Sequence, residues 1–137
     1  MLISTKGTYA LRVLTDIAKH NGENNYICIL DISERLNISR KYLESIMTLL
    51  AKNNLIESKR GVSGGYKLIK KPDEYNLYEI LIITEDNLAP VPCLKEERTC
   101  KDQELCPTLK TFKGLHEVIK DYLLNKSLED LMGSNNC

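Results

Sequence analysis

The chain has 137 residues, enough for one domain with its own core and an appended segment. Charged residues make up 28% and apolar ones 42%, which excludes a disordered or low-complexity polymer. The formal net charge is zero, and no apolar run approaches the ~20 residues that a membrane span requires. The first seven residues, Met-Leu-Ile-Ser-Thr-Lys-Gly, lack the apolar core and cleavage site of a signal peptide. A cytoplasmic protein with reduced thiols is therefore expected, without a membrane association or a disulfide scaffold.

Ser4 is placed to cap a helix running to about His20, with Ala10, Leu11, Val13, Leu14, Ile17 and Ala18 on a broad apolar face. Asn21-Gly22 is expected to close it through a left-handed cap. Thr5, Lys6 and Tyr9 set hydroxyl and amine donors beside the unpaired N–H groups of the helix start, which suits phosphate anchoring. A solvated first turn accounts for the same residues. Tyr26-Ile27-Cys28 reads as a short strand, with Cys28 a core residue. Residues 31–36 read as a short helix that turns Ile29, Ile32 and Leu36 inward, and Asn37 supplies the turn after it.

Ser39 then caps a second helix, and Ile38 before the cap suits a hydrophobic staple with Leu43. Leu43, Ile46, Met47 and Leu50 recur at i, i+3, i+4 and i+7, which makes one apolar stripe. Arg40, Lys41, Glu44 and Thr48 fall off it. A strand over 55–60, a tip of Gly61-Val62-Ser63-Gly64-Gly65 and a returning strand over 66–69 follow at once. Helix, tight turn, helix and basic-tipped hairpin together suggest a recognition helix with a wing. Arg40 suits bidentate pairing with guanine, Glu44 suits a cytosine amine, and Ser39, Lys41 and Tyr42 suit phosphates. Arg60 fits a narrow minor groove, flanked by Lys59 and Ser63, while Gly61, Gly64 and Gly65 allow close backbone approach. Without that context, the glycines are only a hairpin turn and Arg60 a solvated charge.

Charge distribution supports the DNA reading. Residues 1–71 hold 12 Lys and Arg against 6 Asp and Glu, whereas residues 72–137 hold 7 against 13. Residues 37–71 alone hold 8 against 2, so the basic excess sits in the second helix and the wing.

Beyond Pro72, Asn76 caps a helix expected over 77–84 with Leu77, Ile80, Leu81 and Ile83 apolar. Residues 85–107 lack periodicity and read as a long surface loop holding Cys93, Cys100 and Cys106. Their spacing, C-x6-C-x5-C, lacks the close-set pair that usually opens a zinc site, and no histidine lies in the loop to activate a nucleophile. Three soft thiolates suit an iron–sulfur cluster, which normally needs four protein ligands; ordinary reduced thiols are the plain alternative. His20 and His116 read as surface or packing residues, and Cys137 as a tail thiol. Periodicity returns over 108–124, with Leu109, Phe112, Leu115, His116, Ile119, Tyr122 and Leu123 on one side of a helix. It lies beyond the loop, away from the core that could cover it, so pairing with a second copy is expected. Residues 127–131 suggest one capped turn, and 133–137 a tail. No nucleotide loop, catalytic triad or carboxylate pair is present, so no enzyme is expected.

Three stretches, M-L-I-S-T-K-G-T-Y-A-L-R at 1–12, D-I-S-E-R-L-N-I-S-R-K-Y-L-E at 31–44 and R-G-V-S-G-G-Y-K-L at 60–68, resemble the Rrf2 family of bacterial transcription regulators. The resemblance extends over about residues 1–132. It implies a mainly α fold with a small β-wing: a winged helix-turn-helix domain over 1–84, a sensor loop over 85–107 and a dimerisation helix with its C-terminal turn over 108–132. It also implies a homodimer on a palindromic double-stranded DNA operator, with Ser39, Arg40, Tyr42 and Glu44 in the recognition helix and Arg60 opening the wing. The three loop cysteines resemble those of cluster-binding members, which hold 2Fe–2S or 4Fe–4S groups. One branch of the family adds a histidine three residues after the third cysteine, where this chain has Leu109; another adds an acid near the first helix, where it has Thr8. The fourth ligand is thus unassigned among Glu104, His116 and a residue of the other subunit. The expected function is a regulator, and specifically a repressor, that responds to a cluster or redox state. The alternatives are a cluster-free regulator sensing through thiols, a small molecule or a protein partner, and an iron–sulfur electron carrier.

Overall fold

The computed structural model describes residues 3–21, 25–95 and 104–133. The Ser4 hydroxyl accepts the Gly7 N–H at 3.1 Å and starts helix α1 (Thr5–His20), which buries Gly7, Ala10, Val13, Leu14, Asp16 and Ile17. The expected left-handed cap is not formed at Asn21, whose φ is −71°; Gly22 lies outside the described residues. Instead Lys19 and His20 complement the negative end of the helix dipole, and His20 Nδ1 lies 2.8 Å from the Asp16 carbonyl.

Ile27 makes a single antiparallel bridge to Tyr66, so the expected third strand is one residue long. Cys28 is exposed, not in the core. Ile27 points inward at the bridge, and the alternation of extended backbone turns its successor outward. Helix α2 (Ile29–Leu36) begins two residues earlier than expected and ends on Asn37, whose φ of 52° and N–H bonds to Ser33 and Glu34 carbonyls make the tight turn. Helix α3 (Arg40–Lys52) follows, capped by Ser39, with Leu43, Ile46, Met47 and Leu50 buried as the stripe requires.

Strands β1 (Ile56–Lys59) and β2 (Gly65–Leu68) pair antiparallel from Ile56↔Leu68 to Lys59↔Gly65, which leaves 60–64 as the hairpin tip. Gly65 has a φ of +148°, and a Cβ there would run into the Ile27 carbonyl at the bridge. The base of the hairpin is held by Tyr75, which is almost fully buried. Its hydroxyl donates to the Leu55 carbonyl at 2.7 Å and accepts from the Ile69 and Lys70 N–H groups at 3.0 and 3.1 Å.

Helix α4 (Leu77–Glu85) is capped by Asn76, which accepts the Glu79 N–H at 2.8 Å. The segment after it is not wholly on the surface: Leu88 and Ala89 are buried, and Pro92–Leu94 forms a 3-10 turn. Helix α5 (Leu109–Leu124) packs beside α4, where the Lys120 ammonium stands over the Tyr78 ring at 5.6 Å. Its expected isolation is thereby corrected. Phe112, His116, Ile119 and Leu123 are half-buried, while Leu115, Val118 and Tyr122 remain exposed.

The chain then returns. Helix α6 (Leu128–Met132) docks on α1, with Leu128 fully buried, a burial that contributes about 1.5–3 kcal/mol. The return is also stitched by backbone: the Leu77 N–H donates to Lys126 and the Leu128 N–H to Tyr75, each at 2.9 Å. Among the described residues no helix is long and apolar enough to cross a membrane.

Candidate DNA-binding interface and cysteine loop

The interface grows from the start of α3. Ser39 spends its hydroxyl on capping, accepting the Tyr42 N–H at 3.3 Å. One turn on, Arg40 Nε donates to Glu44 Oε1 at 3.1 Å, with both side chains exposed. At i,i+4 such a pair is worth only a few tenths of a kcal/mol, so either partner is released readily to a base edge. Lys41 is exposed beside them. Tyr42 leans the other way and meets the Tyr9 ring edge-on, with centroids 5.8 Å apart and planes at 82°. That contact joins the recognition helix to the start of α1, where Thr5 and Lys6 are exposed. Thr5, Lys6, Tyr9, Ser39, Arg40, Lys41, Tyr42 and Glu44 therefore share one neighbourhood.

The wing forms a second, separate group. Lys59, Arg60, Gly61 and Ser63 are exposed, and Gly64 and Gly65 half-buried. At its base the Tyr26 ring receives the ammonium groups of Lys59 and Lys67 at 5.5 and 4.9 Å, and its hydroxyl donates to Glu57 at 3.1 Å. Lys67 also pairs with Glu57 at 3.6 Å. Tyr26 thus fixes two wing cations, a role its place in the sequence did not suggest.

Two further residues set the frame. Asp16, buried on α1, takes a forked bond from Arg35 of α2, with Nε at 2.9 Å and Nη2 at 2.8 Å. The hydrogen bond to Asp16 raises the Arg35 pKa above its ordinary value against the opposing effect of burial. Glu85, the last residue of α4, accepts from the Ser4 N–H at 3.2 Å and the Ser4 hydroxyl at 2.6 Å, while Gly7 leaves room for its carboxylate. A carboxylate at a helix N-terminus complements the dipole, and here it ties α4 to the end of α1 that carries Thr5 and Lys6. An acid on an apolar face signals a hidden partner in the case of Asp16; nothing local marks Glu85.

Of the loop cysteines, Cys93 and Cys106 are half-buried, and Cys100 lies outside the described residues. Cys93 belongs to the 3-10 turn after α4, and Cys106 stands just before α5 with its Sγ 3.3 Å from Thr108 Oγ1. Cys106 and Glu104 edge an open groove of about 580 Å³ along the first turns of α5. The His116 Nδ1 is buried and has no hydrogen-bond partner among the described residues. Among those residues no three ligating side chains converge on a metal-sized site.

A tight two-helix turn, a capped recognition helix with exposed polar residues and a basic hairpin behind it define a winged helix-turn-helix protein. The chain matches the profile of the Rrf2 family, described as iron-dependent transcriptional regulators, over residues 3–134, and it belongs to that family. It is 34% identical to the HTH-type transcriptional regulator IscR of Erwinia tasmaniensis over 98% of this chain and 80% of that protein. Among solved structures it is similar to CymR, the global cysteine regulator of B. subtilis, with a TM-score of 0.78, 30% identity and 99% of each chain covered. The IscR of T. potens has a TM-score of 0.75 at 26% identity, over 96% of this chain and 86% of that one. The protein is a transcriptional regulator with a DNA-binding fold.

Proposed function

We propose that the protein is a homodimeric repressor that reads a palindromic operator and is controlled by Cys93, Cys100 and Cys106 through an iron–sulfur cluster. The observation that carries the coupling is the Glu85 carboxylate on Ser4. The cysteine loop leaves α4 immediately after Glu85, and Ser4 adjoins the phosphate donors of α1. A change in the loop's shape therefore acts on a contact at the edge of the DNA interface.

The donor set fits such a group. Three thiolates are the usual iron ligands, and the orphaned His116 Nδ1 and the Glu104 carboxylate are chemically able to add a fourth. A cluster would be held by Cys93 in the 3-10 turn after α4, by Cys100 and by Cys106 before α5, and would supply redox sensitivity there. The side chains then act by ordinary means: Thr5 and Lys6 hold phosphates, Arg40 and Glu44 part to meet base edges, and Arg60 enters the minor groove. The exposed residues Leu115, Val118 and Tyr122 on α5 supply the subunit contact. Thiol oxidation without a cluster is the second reading; a similar structure is an oxidised form of Staphylococcus aureus CymR.

Anaerobic purification, followed by titration of the promoter region upstream of its own operon, tests the reading. Visible absorbance with stoichiometric iron and sulfide, lost together with regulated DNA binding in Cys100→Ala, is the expected result. A colourless, iron-free protein that binds the same DNA unchanged removes the cluster and leaves the thiol reading.

A further inference from the structure

Four arginines lie among the described residues, at 12, 35, 40 and 60. Arg35 is engaged by Asp16 at 2.8 Å and Arg40 by Glu44 at 3.1 Å. Arg12 and Arg60 have no carboxylate partner among the described residues. Arg60 sits past the C-terminal end of α3, in the wing. Arg12 sits at the other end: it is exposed on α1, and its guanidinium lies 5.1 Å from the centroid of the Tyr9 ring. Tyr9 in turn meets Tyr42, the third residue of α3, edge to face. The run of contacts Arg12–Tyr9–Tyr42 thus places a cation near the first turn of the recognition helix.

We propose that Arg12 is a phosphate clamp, gripping the DNA backbone alongside the N-terminal end of α3 while Arg60 engages the duplex from the wing side. The proposal rests on the reading of this chain as an operator-binding protein. The guanidinium stands over the Tyr9 ring on the exposed surface of α1, where a phosphate oxygen can reach its N–H groups. Holding the planar group against a ring also fixes it before binding, so less side-chain freedom is lost on contact. A carboxylate on the protein would neutralise the group, and among the described residues none pairs with it. The contact carries no base information, so Arg12 contributes affinity and register rather than sequence preference.

The test is a titration of wild-type, Arg12→Gln and Arg12→Lys proteins against two duplexes of equal length, between about 50 and 200 mM salt. One duplex is the promoter region upstream of the protein's own operon, and the other is unrelated. Gln keeps an unbranched polar side chain but removes the charge. It should flatten the plot of log affinity against log salt by ~1.8, about 0.9 for each of the two copies in the dimer, and weaken both duplexes equally, by on the order of tenfold at the higher salt. Lys should retain the wild-type slope with intermediate affinity. Coincident thermal melts establish that the variants are folded, and a residue that merely packs on Tyr9 would leave the slope unchanged. A wild-type slope in Arg12→Gln, with the duplexes bound, overturns the clamp alone. If wild-type protein binds neither duplex, the DNA reading itself fails and the clamp with it.

Discussion

Tyr75 concentrates more structural consequence in one hydroxyl than any other side chain described. It satisfies a carbonyl before β1 and two amides after β2, so the hairpin leaves the core from a fixed base. Tyr75→Phe preserves the ring but leaves the buried Leu55 carbonyl and two part-buried amides without that partner. Loss of about 1–3 kcal/mol is expected, read as a lower urea midpoint with an unchanged slope. The same scale shows what can be read in advance. Ser4, Ser39 and Asn76 are legible as caps because each accepts an N–H three residues ahead. The Asp16–Arg35 fork joins residues 19 apart, and the Glu85–Ser4 bond residues 81 apart. Such pairings depend on how helices pack, and no local pattern encodes them. Cys28 illustrates the converse error: isoleucine neighbours suggest burial, but the side-chain direction at one bridged position decides it.

At the scale of elements, the wing and the last helix make contrasting predictions. Gly65→Ala places a Cβ against the Ile27 carbonyl in a backbone conformation that disfavours any side chain. The bridge to Ile27 should break and the hairpin splay, while the α1–α3 core persists. Operator affinity should then fall at least tenfold with helical circular dichroism retained. Helix α6 depends on acid–base state. Its capping box has Asp130 accepting the Ser127 N–H at 2.7 Å, a bond that holds the carboxyl below its ordinary pKa. Because the folded value is depressed, the stabilisation is complete above the unfolded value of about 3.9 and disappears as pH falls through the lower folded value. Amide exchange at the start of α6 should therefore rise only in that acid window, and Asp130→Asn should abolish the pH dependence. The capped turn was visible in the Ser127 to Asp130 spacing. That it closes over α1 was not, because the two residues that dock it, Leu128 and Leu131, are too few to make a periodic stripe.

For the whole molecule, the outward face of α5 is where the proposed subunit contact falls. Val118 and Tyr122 are 65% and 62% exposed, one turn apart, while Phe112, His116, Ile119 and Leu123 of the same helix are half-buried. Val118→Asp should shift sedimentation from dimer to monomer and weaken operator binding, since two half-sites are then read by unlinked heads. A dimer that survives with wild-type sedimentation would move the subunit contact away from α5. The winged-helix architecture was legible because its stripes, caps and turn residues are local and agree with one another. The packing of α5 on α4 was not: an apolar stripe states that something covers it, and not whether the cover comes from the same chain.

Tyr75 has one more bond, through its backbone. Its carbonyl receives the Leu128 N–H just after α5 ends, while its hydroxyl holds the base of the wing. The segment that follows α5, the helix proposed to carry the subunit contact, is therefore bonded to the residue that anchors the base of the wing. Cys106 lies at the far end of that helix, about 24 Å away along 16 residues of α5. On the proposed reading, a displacement at the cysteines has two routes to the DNA interface, through Glu85 to Ser4 and along α5 through Tyr75 to the base of the wing.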